Sequence, residues 1–215
     1  MDPLNDSISK VELLEVMGSD LTVVNAARVS FAKESQLVDE KDTKLIQYLA
    51  RNGHISPFFH PQIRFRLKMP IFVAREWYRH TVGFARNEVS RRYVDTPPEL
   101  YIPTELRERD PNLKQGSKST FVDVNIAEQM KVTAQITLNC YDNLLEAKVA
   151  PELARMILPQ SMYTEFIETA SLYAYARLCK LRLDPHAQKE IQVYAEALDA
   201  LLREKFPVSW VALMG

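Results

Sequence analysis

Residues 62–80, QIRFRLKMPIFVAREWYRH, decide the fold class. Ile63, Phe65, Leu67 and Met69 alternate with Arg64, Arg66 and Lys68. That period of two predicts a strand with one buried and one solvated face. Pro70 then suits the first helical position, where a missing N–H costs nothing, and predicts a helix running to about Gly83. A strand passing directly into a helix points to an α/β (α+β) chain with helices packed on one twisted sheet.

The flanking sequence extends this pattern. Residues 11–17 read as a strand, and Asp20 as the N-cap of a helix through Leu21, Val24 and Ala27. Residues 40–52 read as a helix with Leu45, Ile46 and Leu49 on one face and Gly53 just past its end. A long helix is expected over about 123–147, carrying Ile126, Met130, Leu138, Tyr141 and Leu145. Pro151 opens a short helix that Pro159 ends. Residues 161–168 read as a strand, followed by helices over 170–181 and 185–204, the second capped by Asp184 with Pro185 at its first position. Residues 94–121, with Pro97, Pro98, Pro103, Pro111 and Gly116, read as a long surface loop. The expectation is one domain over 1–215 with a mixed sheet.

Composition narrows the function classes. The 215 residues are 47% hydrophobic and 26% charged, with 27 basic and 28 acidic residues. That near-neutral balance argues against a general nucleic-acid or membrane-surface coat. No run of eighteen apolar residues occurs, so no spanning helix is expected. The polar start MDPLNDSISK has no leader-like apolar core. Cys140 and Cys179 are too few for a disulfide framework or a thiolate zinc site and are read as buried thiols. A reducing, cytoplasmic setting is expected. His54 and His60 lack nearby carboxylates to complete a metal site, so no metal is expected. The five glycines assemble neither a dinucleotide fingerprint nor a phosphate loop. Side chains would therefore have to hold any phosphate.

Arginine supplies them. Residues 75–93, REWYRHTVGFARNEVSRRY, hold Arg75, Arg79, Arg86, Arg91 and Arg92 against only Glu76 and Glu88. Guanidinium forks match phosphate oxygens, and Asn87, Ser90 and Tyr93 add neutral donors suited to phosphate or sugar. Charge alone also suits a solvated basic helix face. Arg155, among the apolar residues of PELARMILP, and Arg182, in LRLDPHAQ, are further candidates for anion binding. No nucleophile constellation is present, so a bound cofactor would have to carry out the difficult step.

Five segments in order then resemble the flavin-dependent thymidylate synthases: VVNAARVSF (23–31), NGHISPFFH (52–60), the signature region 72–93, ELARMILPQSMYT (152–164) and LRLDPHAQKEIQ (181–192). The resemblance implies a mixed sheet with helices, as in thymidylate synthase-complementing proteins, and a homotetramer with flavin at subunit interfaces. It implies reductive methylation of dUMP to dTMP, with methylene-tetrahydrofolate as one-carbon donor and NADPH-reduced FAD as hydride source. By matched positions, Arg182 would be catalytic and read the uracil edge. Glu76, Arg79, Glu88, Ser90, Arg91, Arg92 and Arg155 would complete the nucleotide site. Ser30, His54, Ser56, Arg79, His80, Thr81, Arg86, Asn87, Glu88, Ser171, Arg177 and His186 would face flavin or folate.

Departures from the family pattern fall mostly on the flavin side. Thr81 stands for the last residue of R-H-R, and eight residues rather than seven separate it from Ser90. Arg86 is the expected substitute guanidinium. Ser171 and Tyr173 replace the Asn and Arg of an N-x-R segment, with Arg177 one helical turn on as a compensating cation. Phe59 replaces an acidic position. Glu76 replaces a frequent Gln and would repel a phosphate unless paired with Arg75 or Arg79. Two other readings remain open: a same-fold methylase or hydroxymethylase acting on UMP or a cytosine nucleotide, and a non-catalytic nucleotide-binding homologue.

Overall fold

The computed structural model describes residues 1–94, 96–111, 117–121 and 123–215. Its elements are β1 (Lys10–Met17), α1 (Asp20–Arg28), α2 (Glu40–Arg51), β2 (Gln62–Pro70), α3 (Ile71–Trp77), β3 (Phe84–Glu88), β4 (Leu106–Arg109), β5 (Ser117–Phe121), α4 (Val124–Glu146), α5 (Pro151–Ala154), β6 (Tyr163–Ser171), α6 (Leu172–Arg182), α7 (Lys189–Lys205) and α8 (Ser209–Met214). Strands β1, β2, β6 and β3 form a sheet in that order. Every pairing in it is antiparallel, where a mixed sheet is expected from the sequence.

Strand β2 lies between β1 and β6 and has the one buried face that its alternation predicts. Ile63, Phe65, Leu67 and Met69 are wholly buried. On the opposite face Arg64 pairs with Glu15 at 2.8 Å, and Arg66 lies 3.8 Å from Glu12 and 3.6 Å from Glu165. The apolar face packs against α3, α6 and α7 around Trp77, Tyr175, Tyr194 and Trp210. Removing such side chains from water is the main favourable term for a core of this kind.

Several boundaries differ from expectation. Ser19, not Asp20, is the N-cap of α1. Asp20 is buried and accepts from the backbone N–H groups of Val208 (2.9 Å) and Ser209 (2.8 Å), so it ties down the start of α8. Helix α3 ends at Trp77, short of the expected Gly83, and the chain reverses through Gly83 (φ +83°) into β3, a strand not expected from the sequence. A side chain at Gly83 would be strained by that φ, and its Cβ would meet the Ala174 Cβ at 3.3 Å. Strand β6 runs to Ser171, and Ser171 caps α6. Helix α7 begins at Lys189 rather than Pro185. The Gln192 amide donates to the carbonyls of Asp184 (2.9 Å) and Ala187 (2.7 Å), which holds 184–188 as a turn.

The expected 94–121 loop contains the β4–β5 hairpin; its positions 95 and 112–116 lie outside the described residues. Cys179 is buried but Cys140 is exposed, against expectation. The cause is α4, whose buried residues are Ala134 and Tyr141 alone, while Ile126, Met130, Val132 and Ile136 face out. Among the described residues no helix is long and apolar enough to cross a membrane.

Candidate active site

The last turns of α3 and α6 converge. Arg182, at the end of α6, donates from Nε to His80 Nε2 at 2.8 Å, ion-pairs through Nη1 with Glu76 Oε1, and points Nη2 at the Glu76 carbonyl, 3.5 Å away. A cation is favoured here because the unsatisfied carbonyls of a helix C-terminus carry partial negative charge. Glu76 therefore does have a cationic partner, but it is Arg182 rather than Arg75 or Arg79.

A guanidinium only donates, so the His80 nitrogen facing it holds a lone pair and the ring proton sits on Nδ1. Burial, reinforced by the charges of Arg182, Arg86 and Arg177, pushes the His80 pKa down to about 4. The imidazole is therefore neutral at physiological pH.

Arg182 stands between two cavities. One, of about 370 Å³, is lined by Arg79, His80, Thr81, Phe84 and Arg177 together with Arg182. The other, of about 850 Å³, is lined by Glu76, Arg107, Asp184, His186 and Gln188 together with Arg182. In the second, Arg107 Nη2 donates to both carboxylate oxygens of Glu190 (2.7 and 2.9 Å), and Arg107 Nε donates to Ser117 Oγ at 2.9 Å. Arg107 was hidden within the stretch read as loop. Arg79 and Arg177 have no carboxylate within 4.0 Å among the described residues.

The remaining candidates are dispersed. Asn87 and Glu88 are exposed on β3, where Glu88 accepts from the Thr164 hydroxyl at 2.5 Å. In the turn that follows, the Arg92 amide donates to Ser90 Oγ at 3.3 Å, Arg91 bonds the Thr96 carbonyl, and Arg92 lies over the Tyr93 ring. Arg155 is exposed on a 3-10 turn after α5. Ser30 and Ser56 lie on the 3-10 turns Val29–Phe31 and Ser56–Phe59, and His54 stands edge-on to Tyr48. None of these lines either cavity.

Two residues expected at the cofactor are engaged inside the protein. The Arg86 guanidinium pairs with the fully buried Glu168, its direct partner across β3 and β6, and lies over the Phe84 and Tyr78 rings. Trp77 Nε1 also donates to Glu168, at 3.2 Å. Reaching a cofactor would require Arg86 to abandon a buried carboxylate. The buried Ser171 hydroxyl accepts from the Ala174 amide at 3.2 Å as a helix cap.

Known proteins agree with this architecture. Residues 12–208 match the family model described as thymidylate synthase complementing protein. A flavin-dependent thymidylate synthase of Thermotoga neapolitana is 41% identical over 204 residues, covering 95% of this chain and 90% of that one. One from Thermus thermophilus is 40% identical over 202 residues, covering 94% of this chain and 74% of that one. The crystal structure of PolB from Streptomyces cacaoi, a UMP/dUMP methylase bound with 5-Br dUMP, superposes with a TM-score of 0.83 at 31% identity, over 95% of this chain and 94% of that one. By sequence along nearly its whole length and by fold, the chain belongs to the thymidylate synthase complementing protein family, the family of the flavin-dependent thymidylate synthases.

Proposed function

We propose that this chain, acting as one domain, makes dTMP by reductive methylation of dUMP, with methylene-tetrahydrofolate as one-carbon donor and NADPH as reductant of a bound FAD. The observation that carries this reading is the Glu76–Arg182–His80 cluster at the junction of two cavities.

The residues around the smaller cavity fit a flavin nucleotide. Apolar Val82, Phe84, Ala174 and Leu181 suit a planar ring, while Arg79 and Arg177 suit its phosphates. His80 Nδ1–H and the Thr81 hydroxyl offer neutral donors. When bound, FAD supplies the hydride that completes the methyl group.

The protein's own work is binding and electrostatics. Arg182, permanently charged and held on one edge by Glu76 and His80, lowers the energy of negative charge developing on a pyrimidine ring. Because Arg182 is already in place, little reorganisation is needed as that charge forms. Neutral His80 anchors the guanidinium without repelling it. Ser90, Arg91, Arg92 and Arg155 are assigned to the nucleotide, with its phosphate as their target. Ser30, His54, Ser56, Asn87, Glu88 and His186 are assigned to flavin or folate. We further propose a homotetramer acting in the cytoplasm. The apolar residues of α4 that stay exposed, together with the exposed Leu153 and Met156, support an oligomer, since apolar surface of this kind is commonly covered by another subunit. The dispersal of site residues over one protomer supports a site completed by another.

The test is the visible spectrum of the purified protein, recorded anaerobically with NADPH, with and without dUMP. A flavin band that bleaches with NADPH is expected. A protein that takes up no flavin even from added FAD would sink the reading in favour of a non-catalytic nucleotide binder. The likeness to PolB, a UMP/dUMP methylase, favours a second reading in which UMP is also a substrate. Competition between dUMP and UMP for the site separates the two.

A further inference from the structure

The hairpin of β4 and β5 is a sheet of its own, apart from the four-stranded one. A two-stranded hairpin is marginal in water without further support. Arg107 of β4 supplies support. Its guanidinium reaches Glu190, 83 positions away in the first turn of α7, with Nη2 at 2.7 and 2.9 Å from the two carboxylate oxygens. Its Nε donates to Ser117 Oγ on β5, so one side chain links both strands to the helix.

Glu190 is 5% exposed, a buried carboxylate that the proposed reaction does not use. Besides Arg107 it accepts from the Gln188 side-chain amide, Nε2 to Oε2, at 2.8 Å. Gln188 ends the 184–188 turn, which follows closely on Arg182 at the end of α6. Arg107 and Ser117 from the hairpin, Gln188 from the turn and Arg182 all line the cavity of about 850 Å³. Hairpin and turn are thus two walls of one space. Glu190 stands behind them, tied to one through Arg107 and to the other through Gln188.

We propose that Arg107 and Glu190 are positioning residues: their pair docks the hairpin on α7 and keeps the cavity beside Arg182 in the shape that binds nucleotide. Neither has to touch the reacting atoms. The choice of dUMP as that nucleotide rests on the reaction proposed above. Without Arg107, Glu190 is a buried charge with weaker, neutral support, and the docked hairpin loses its anchor. Arg182 keeps its own partners, Glu76 and His80, whether or not the hairpin is docked. Binding therefore suffers more than turnover. If the docked fraction falls to about a tenth, apparent affinity falls about tenfold.

The experiment compares Arg107→Ala, Arg107→Lys and Glu190→Gln with the wild-type chain, each supplied with FAD. It measures amide hydrogen exchange, dUMP affinity by calorimetry, and KM against kcat. In Arg107→Ala, exchange over 106–109 and 117–121 should quicken about tenfold with β2 unchanged, and the dUMP Kd and KM should rise about tenfold with kcat within about threefold. Partial unfolding would instead lower the apparent kcat and leave KM alone, so the split distinguishes positioning from a merely structural role. Arg107→Lys should recover part of the affinity, since an ammonium keeps the charge facing Glu190 but not the guanidinium fork that also reaches Ser117. Glu190→Gln should shift the same quantities in the same direction as Arg107→Ala, and combining the two should add little, because both break one contact. Unchanged dUMP affinity and KM in folded Arg107→Ala overturn the proposal, even if exchange quickens. Should Arg107→Ala fail to fold, Arg107→Lys and Glu190→Gln decide the matter on the same readouts. A wild-type chain that takes up no flavin, but whose dUMP affinity falls with Arg107→Ala, keeps the positioning role while sinking the flavin reading, so the two failures are distinguishable.

Discussion

Arg182 Nε and His80 Nε2 are 2.8 Å apart, a hydrogen bond between residues 102 positions apart in the chain. It joins the end of α6 to the turn after α3 and requires the imidazole to be neutral. Burial and three nearby arginines lower the His80 pKa from 6.5 to about 4. The sign of the linkage follows. The unfolded chain binds this proton near pH 6.5 and the folded chain does not until about pH 4. The stability tied to neutral His80 is therefore fully present above pH 6.5 and is lost as pH falls from 6.5 toward 4. His80→Gln, which keeps an acceptor but cannot titrate, should flatten that part of the stability curve. Urea melts of both proteins at half-unit pH intervals would show it; parallel curves would refute it.

Arg182→Ala should lower turnover far more than stability. Its charge matters most when negative charge forms on the pyrimidine, so a loss of about 10²–10³ in kcat is expected, with a smaller change in dUMP affinity. Arg182→Lys should recover little, since one ammonium cannot reach both His80 and Glu76 as the planar guanidinium does. Equal losses in affinity and turnover would instead assign Arg182 to ground-state binding.

Glu76 tests the other side of the same cluster. Glu76→Gln keeps an acceptor for Arg182 but removes one negative charge beside a site proposed for an anionic substrate. The KM for dUMP should fall while kcat also falls, because the guanidinium is less firmly held. Steady-state kinetics at two ionic strengths would separate charge from positioning. A rise in KM would mean that Glu76 contacts substrate directly.

Much of this was legible in the sequence. Strand β2 was, because Ile63, Phe65, Leu67 and Met69 each meet the core and period two has no competing reading. Strand β3 was not, because FARNE has one partly buried apolar residue and is held as an edge by pairing with β6. Helix α8 was missed because Trp210 is buried by α7 and its start is fixed by Asp20, 189 residues from Ser209. The start of α7 was misplaced because a local cap rule lost to the Gln192 side chain. At the site, Arg182, His80 and Glu76 were each visible as residues, but their pairing depends on α3 and α6 meeting. The Arg86–Glu168 pair was hidden for the same reason, since Glu168 lies on another strand.

The Arg86–Glu168 pair provides the last prediction. Glu168 is fully buried, and burial pushes its carboxyl above the usual range against the pull of Arg86. Arg86→Ala removes its cationic partner and leaves a buried carboxylate held by neutral donors such as Trp77 Nε1. That should cost about 3–5 kcal/mol of folding stability. Arg86→Met with Glu168→Leu removes both charges together and should restore most of it, because a matched apolar pair carries no desolvation penalty. Denaturant melts of the two variants measure this directly. Flavin affinity provides a separate readout of where Arg86 acts. With the guanidinium committed to Glu168, the double variant should bind FAD within about twofold of the wild type. A tenfold loss in a stably folded double variant would instead show that Arg86 leaves Glu168 to reach the cofactor, as the R-H-R resemblance implied.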